Sequence, residues 1–179
     1  VCGGDGIADG ACDCDGNVEL GCGCGAAGPS GCDNTCGSTA EVDECGICGG
    51  SGPTEGYNCD GIPALFEFEQ STKQAYYYFY SATILDVNLS HDDWVGAFNG
   101  DVCVGARKWD TAACGSGVCD VPVMGEDQFE WTSGYMQSGE TPIFKIFEAT
   151  ANAYYYAETS GDVPWANLGM YMIENLNTD

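Results

Sequence analysis

The distribution of cysteine constrains this chain more than any other feature of its sequence. Ten of the 13 cysteines lie within residues 1–61, a stretch that contains no Lys or Arg and few large apolar side chains. Such a segment cannot bury enough apolar surface to offset the conformational entropy that it loses on folding. Disulfide bonds or bound metal ions must therefore hold residues 1–61 in shape, and we call this segment the cysteine-rich arm.

The same cysteines indicate an oxidising environment, and they predict a protein that is extracellular or located at the cell surface. A cytosolic zinc protein is the alternative, but a single histidine, His91, and close Cys-x-Cys spacings suit zinc poorly. No apolar run is long enough to cross a bilayer, so we expect no membrane insertion.

The net charge of the chain excludes several classes of partner. Asp and Glu number 28 against four Lys and Arg, which gives a formal net charge of −24. Nucleic acids and anionic membrane surfaces are bound through Lys and Arg, so neither is an expected partner. A compact chain with this charge repels itself, and bound cations or a salty medium would relieve the repulsion.

Residues 62–179 have the composition of a β-sheet domain. Runs rich in β-branched and aromatic residues alternate with turn signals, and no stretch shows sustained helical periodicity. Asn99-Gly100, between two of these runs, predicts a two-residue hairpin turn. We predict an all-β fold in which an antiparallel β-sandwich of jelly-roll or immunoglobulin-like kind follows the loop-rich, disulfide-stapled arm. The predicted strands are residues 64–70, 74–87, 93–98, 102–109, 141–149, 153–158 and 168–176.

Short repeats are visible within the arm. "VCGGDG" (1–6) matches "ICGGSG" (47–52), and "CDC" (12–14) is echoed by "CGC" (22–24). Together with "DECGICGG" (43–50), these strings resemble the Asp/Cys/Gly repeats of large secreted bacterial surface proteins, and they are distantly similar to thrombospondin type 3 calcium repeats. The resemblance implies a small repeating module and no particular enzymatic activity.

Side-chain oxygens recur at every second position of "CDCDGNVE" (12–19). Ca²⁺ is bound by about six to eight oxygen atoms on flexible loops, and Gly16 would permit a sharp turn between ligands. We predict a calcium site here, and the alternative is a set of solvated acidic side chains on a disulfide-held loop. The candidate ligands are Asp5, Asp9, Asp13, Asp15, Asn17 and Glu19.

The three remaining cysteines lie in the β-rich domain. Cys114 and Cys119 enclose the short loop "GSGV", which predicts a local disulfide between them. Cys103 is then left over, and its position in an apolar run predicts a buried free thiol. Because the total is odd, Cys2, whose repeat partner is missing, is the better candidate for a bond to another chain.

Tyrosine-rich strands predict an interaction surface. In "AYYYFY" (75–80), a strand would place aromatic rings on both faces, and only one face can line the core. Tyrosine is favoured at interfaces because it combines a large apolar area with a polar tip. The alternative is a sheet whose second face is covered by its own loops. The predicted interface residues are Tyr76, Tyr78, Tyr80, Tyr154 and Tyr156.

Asn88-Leu89-Ser90 is an N-x-S sequon that follows a predicted strand. It predicts glycosylation at Asn88 if the source organism glycosylates its secreted proteins.

The rest of the sequence indicates a structural or adhesive role. "DDWVGAFNGDVCVGARKWDT" (92–111) and "GSGVCDVPVMG" (115–125) resemble β-rich modules in large secreted bacterial proteins that carry the same Cys/Gly repeats. The chain contains no G-x-S-x-G or H-E-x-x-H motif and no P-loop sequence, so we expect no enzymatic activity.

Two functions fit these observations. The first is a structural subunit of a self-assembling filament or surface layer, in which the arm contacts neighbouring copies and binds calcium. The alternative is a carbohydrate-binding or adhesion module on a calcium-stiffened stalk, with glycans as partners and a tryptophan stacked on sugar. The candidate stacking residues are Trp94, Trp109, Trp131 and Trp165.

Overall fold

The computed structural model describes residues 6–178, and within that range the protein is all-β with no α-helix. The chain divides into two compact units. The first, within the cysteine-rich arm, runs to Glu55 and includes Cys59–Gly61; the second, here called the β-sheet unit, comprises Gly56–Asn58 and the chain from Ile62 onward. Asp5 and Cys2, for which calcium binding and an intermolecular disulfide are predicted, lie outside the described residues.

Disulfide bonds hold the described part of the arm, as the cysteine distribution predicts. Each bridge starts before the preceding one closes, so that successive loops interlock, and Cys14 is disulfide-bonded as well. No residue from 6 to 62 is buried, so this unit has no apolar core. The four interlocking bridges are Cys12–Cys24, Cys22–Cys36, Cys32–Cys48 and Cys45–Cys59.

From residue 6 onward, backbone pairing in the arm is limited to very short hairpins. β1 (Pro29–Ser30) pairs antiparallel with β2 (Thr35–Cys36). Single bridges join Glu19 to Cys24 and Val42 to Cys48, in the flanking repeats. Each repeat therefore forms one tight reversal of the chain, and the disulfides connect one reversal to the next.

The β-sheet unit contains eight strands. Short 3₁₀ turns occur at Ala64–Phe66, Gly115–Gly117 and Glu130–Thr132. The strands are β3 (Lys73–Ile84), β4 (Val87–Asn88), β5 (Trp94–Asn99), β6 (Val102–Lys108), β7 (Cys119–Gly125), β8 (Ile143–Glu148), β9 (Ala153–Thr159) and β10 (Met170–Thr178).

These strands form one curled sheet of mixed direction, a half-barrel, in the order β4-β3-β10-β9-β8-β5-β6, with β7 pairing along the first part of β3. The all-β prediction is confirmed, but the antiparallel jelly-roll or immunoglobulin-like sandwich is not found. β10 runs parallel to β3, because the chain after β9 returns to the start of β3 before it re-enters the sheet. Alternation along a strand shows which residues share a face and does not show the direction of the neighbouring strand.

The two ends of the curled sheet approach each other at β6 and β7. Gly105 of β6 lies so close to the Pro122 carbonyl of β7 that a Cβ atom would overlap it. The Arg107 Nε donates to the Asp120 carbonyl at 3.0 Å, and its guanidinium forms an ion pair with the Asp120 carboxylate. Proline at an edge strand also blocks further pairing, because it lacks an N–H donor.

The β-sheet unit buries apolar side chains on both sides of part of its sheet. The larger cluster includes Tyr77, Phe79 and Phe144. A second cluster consists of Phe66, Phe98, Cys103 and Phe147. The prediction of a strand at residues 64–70 is wrong: Pro63 precedes a 3₁₀ turn, and Phe66 from that turn covers this second cluster.

Candidate interaction surfaces

The outer face of β3 and β10 carries a continuous row of apolar side chains. Along β3, Tyr77 and Phe79 are buried, whereas the alternate tyrosines point to the opposite face. In the parallel register, Met170 lies beside Tyr76 and Met172 beside Tyr78. We call this row, together with the exposed Leu168 that precedes β10, the tyrosine–methionine strip; it consists of Tyr76, Tyr78, Tyr80, Leu168, Met170 and Met172.

Much of the strip is open to solvent. Met170 is 71% exposed and Tyr80 is 59% exposed, while Tyr76 and Tyr78 are half-buried with ring centroids 6.4 Å apart. The two methionines of this row are not among the predicted interface residues, because the sequence does not show that β10 pairs with β3. The period-two pattern of "MYMIENL" does place Met170 and Met172 on one face, and that signal could have identified them.

The structure places the predicted interface tyrosines in three different settings, of which the strip contains Tyr76, Tyr78 and Tyr80. Tyr154 lies apart from the strip and packs against Phe66 and Phe147, with ring centroids 5.3 and 4.8 Å away. Its hydroxyl accepts a hydrogen bond from the Leu65 N–H at 3.2 Å, so this ring is part of the second cluster. Tyr156 is exposed on β9, and the Lys145 ammonium lies 5.0 Å from its ring centroid.

Only one of the four tryptophans presents its ring to solvent. Trp109 and Trp165 are buried, and Trp94 packs against the second cluster. Trp131 is 55% exposed and stacks on Phe129, with ring centroids 4.5 Å apart and an angle of 11° between the ring planes. We call Phe129 and Trp131 the aromatic platform. Phe129 was not among the predicted stacking residues, although its position two residues before Trp131 could place both rings on the same face of an extended segment.

A cleft of about 440 Å³ lies beside the loop that carries the aromatic platform. Asp127 anchors this loop: its carboxylate accepts hydrogen bonds from the Thr72 N–H at 2.9 Å and the Phe129 N–H at 2.9 Å. The Thr132 hydroxyl donates to the same carboxylate at 2.9 Å. These donors, the Thr72 N–H first, hold the pKa of Asp127 well below its usual range. The cleft is lined by Lys73, Glu126, Asp127, Met136, Gln137, Ser138, Trp165 and Asn167.

Comparison of the chain with protein family models, curated proteins and solved structures found no match. Its function must therefore be argued from these surfaces.

The acidic residues of the arm form hydrogen bonds to their own turns. Asp13 Oδ1 accepts from the N–H groups of Asp15 and Asn17, both at 3.0 Å, and Asp13 Oδ2 accepts from the Asn17 side chain at 2.6 Å. The Asn17 side chain is the main cause of a lowered pKa at Asp13. Glu19 Oε1 accepts from the N–H groups of Gly21 and Gly23, both at 2.8 Å.

The same turn recurs thirty residues further along the arm. Asp43 Oδ1 accepts from the N–H groups of Cys45 and Ile47 at 3.0 and 2.8 Å. Glycine follows three positions after each aspartate, with φ of 81° at Gly16 and 78° at Gly46. Positive φ is readily adopted by glycine, which explains the spacing of acid and glycine in the repeat.

Two of the predicted calcium ligands, Asp13 and Glu19, therefore already accept hydrogen bonds from backbone N–H groups. Within the described residues no three His, Cys, Asp or Glu side chains converge in a way that could hold a metal ion. Asp9 and Asp15 are exposed. An ion bound at Asp13 and Glu19 would use the carboxylate lone pairs that these N–H groups leave free.

The remaining predicted sites lie in the β-sheet unit. A disulfide joins Cys114 to Cys119, and Cys103 is a free, buried thiol whose pKa is raised to about 11 by burial. Asn88 is exposed in β4, where a glycan would be accommodated without disturbing the core.

The described residues include no helix that is both long and apolar enough to span a membrane. The several disulfides indicate a compartment outside the reducing cytoplasm.

Proposed function

We propose that this protein is an extracellular structural subunit that assembles with copies of itself into a filament or surface layer. The observation that carries the proposal is the exposed tyrosine–methionine strip. Monomeric proteins rarely leave a large contiguous apolar patch open to water, and larger patches mark interaction sites. A surface that places methionines of one strand beside tyrosines of the next offers large, adaptable apolar area and polar tips, which suits a protein interface.

The partner that we propose for the strip is the arm of a neighbouring copy. No residue of the described part of the arm, from residue 6 onward, is buried, and several of its aliphatic side chains are exposed. Burial of these side chains against another surface would stabilise the arm, because it removes apolar area from water. They are Ile7, Val18, Leu20, Val42 and Ile47.

The geometry of such a contact favours a polymer. Strip and arm are different surfaces of one molecule, so their contact is heterologous, and heterologous contacts that do not close into a ring produce open fibres. None of the six strip residues carries a charge, which allows molecules of net charge −24 to approach through this face. Assembly should strengthen with added salt, because salt screens the remaining repulsion.

Assembly can be measured on the purified full chain by light scattering after size exclusion and by negative-stain electron microscopy. We expect large particles whose mass rises with protein and salt concentration. The double variant Met170→Asp/Met172→Asp should remain monomeric under the same conditions, because two carboxylates would then be buried in the contact. Its β-sheet unit should stay folded, since both positions are exposed.

Tyr156→Asp is the matched control, because Tyr156 is exposed on a different strand and lies outside the strip. It should assemble like the wild type. A wild-type protein that stays monomeric at all concentrations would contradict the proposal, and so would a double variant that assembles normally.

Calcium binding by the arm is a separate proposal within this function. Ca²⁺ held by the exposed acids would reduce repulsion between neighbouring repeats and stiffen the arm. We expect chelation by EDTA to lower the melting temperature of the arm or of the assembly by about 5 °C. Asp15→Asn should reduce this response, and Mg²⁺ at equal concentration controls for screening. Unchanged melting and assembly after chelation would rule calcium out.

A further inference from the structure

We propose that the aromatic platform and the adjoining cleft bind a neutral carbohydrate. This site is distinct from the tyrosine–methionine strip and extends the proposed function from assembly to glycan recognition. The proposal depends on four features: an exposed pair of aromatic rings, an ordered loop that carries them, a polar cleft that is lined in part by Glu126 and Asp127 of the same loop, and a negative charge that repels anionic ligands.

The first feature is the pair of stacked rings. Phe129 and Trp131 lie nearly parallel and remain 43% and 55% exposed, so the stacked pair leaves much of its aromatic surface open to solvent. A pyranose ring has an apolar face of C–H groups, and a flat aromatic surface of this size buries that face without requiring hydrogen bonds. Trp131 is the larger and more exposed of the two rings and is therefore the principal stacking residue.

The second feature is the order of the loop that carries these rings. The Asp127 carboxylate connects the loop to Thr72 and receives the Phe129 N–H, while the Trp131 Nε1 donates to the Gln70 carbonyl at 3.4 Å. Thr132, beside Trp131, is fully buried. The platform is thus fixed before a ligand arrives, which reduces the entropy lost on binding.

The third feature is the polarity of the cleft. Its walls contain hydroxyl, amide, carboxylate and ammonium groups from Ser138, Gln137, Asn167, Glu126 and Lys73. Some of these groups already contact each other: Lys73 Nζ donates to the Glu126 carbonyl at 2.8 Å. Sugar hydroxyls both donate and accept, so they match a wall of this mixed composition.

The negative charge of the cleft and of the whole chain limits the kinds of carbohydrate that can bind. The cleft contains one basic side chain, Lys73, against the carboxylates of Glu126 and Asp127, and the whole chain carries a net charge of −24. Sulfated and uronate-rich polysaccharides would be repelled by this surface. The ligand class that fits is therefore a neutral hexose polymer or oligosaccharide.

Binding can be tested with mannan, laminarin and soluble starch as neutral probes and heparin as the anionic probe. Binding is measured on the Met170→Asp/Met172→Asp variant of the chain, which is expected not to assemble. The result for glycan binding is then independent of whether the wild-type protein assembles. Affinity electrophoresis and calorimetry should detect at least one neutral polysaccharide and no heparin. Trp131 fluorescence should change on binding, because the other tryptophans are largely covered.

In the same background, Trp131→Ala should weaken binding by about ten-fold, and Trp131→Phe should restore much of the affinity. Tyr156→Ala removes an exposed aromatic ring from β9, outside the aromatic platform, and should bind like its parent. The proposal is overturned if no neutral polysaccharide binds, if heparin binds in preference, or if Trp131→Ala binds as well as its parent.

Discussion

Reduction of the disulfides is expected to unfold the cysteine-rich arm while the β-sheet unit stays folded. The arm between residues 6 and 55 has no buried side chain, and its four interlocking bridges close loops with sequence separations of 12, 14, 16 and 14 residues. Each bridge of this length contributes about 3 kcal/mol by restricting the unfolded chain. Once these bridges and the disulfide of Cys14 are reduced, the described residues of this unit have no buried side chains that could hold it folded.

Hydrogen exchange measured by mass spectrometry before and after reduction checks this prediction. Amides of the arm that donate to Asp13 and Asp43 should exchange fast once the bridges are reduced, whereas amides of β3, β5 and β8 should remain protected. The variant Cys114→Ser/Cys119→Ser removes the one disulfide of the β-sheet unit and serves as a control that leaves the arm intact. Protected arm amides after full reduction would show that something other than disulfides holds this unit.

Phe66→Ala is expected to cost the β-sheet unit about 3–5 kcal/mol of unfolding free energy. Phe66 is completely buried, with its ring centroid 5.8 Å from that of Phe98 and 5.3 Å from that of Tyr154. Removal of the ring leaves a cavity over Gly96, whose backbone lies directly against it. The surrounding rings belong to a regular sheet and can collapse only partly into that space.

Leu65→Ala provides the matched control for this substitution. Leu65 belongs to the same 3₁₀ turn but is 53% exposed, so its truncation should change stability by less than about 0.5 kcal/mol. Both variants can be compared by urea unfolding followed by circular dichroism under non-reducing conditions. Equal midpoints for the two variants would mean that the second cluster contributes little to the fold.

Local sequence signals were sufficient to predict most of the strands. Alternation along "AYYYFY" correctly separates buried Tyr77 and Phe79 from the outward-facing rings, because side chains of a strand alternate strictly between faces. A tight hairpin also follows Asn99, although the strand includes Asn99 and the two-residue loop is Gly100–Asp101. These features depend on neighbouring residues only, which is why they can be read from the sequence.

Features that depend on distant contacts could not be predicted. The parallel pairing of β10 with β3 joins residues more than ninety positions apart, and no local pattern specifies it. The strand β7 was missed because Pro122 argues against a strand, yet proline is tolerated at this edge beside Gly105 of β6. The exposed methionines of the strip and the order of the aromatic platform follow from those long-range contacts.

The acids of the arm show how one spacing can serve two purposes. Side-chain oxygens at alternate positions around Gly16 predict a calcium loop, and the same residues form a turn in which the Asp13 carboxylate accepts backbone N–H groups, as the Asp43 carboxylate does in its own repeat. Sequence alone cannot separate these roles, because both require an oxygen acceptor beside a residue with positive φ.

The interlocking bridges have a consequence for survival in a medium that contains proteases. From Cys12 to Cys59 every peptide bond lies inside at least one closed disulfide loop, since each loop overlaps the next. A single cut anywhere in this stretch opens a ring without dividing the molecule into two pieces. To separate the two ends of this stretch, a second cut must be made or a sulfur–sulfur bond must also break. The arm therefore stays covalently connected after a single cut that would divide a chain without disulfides.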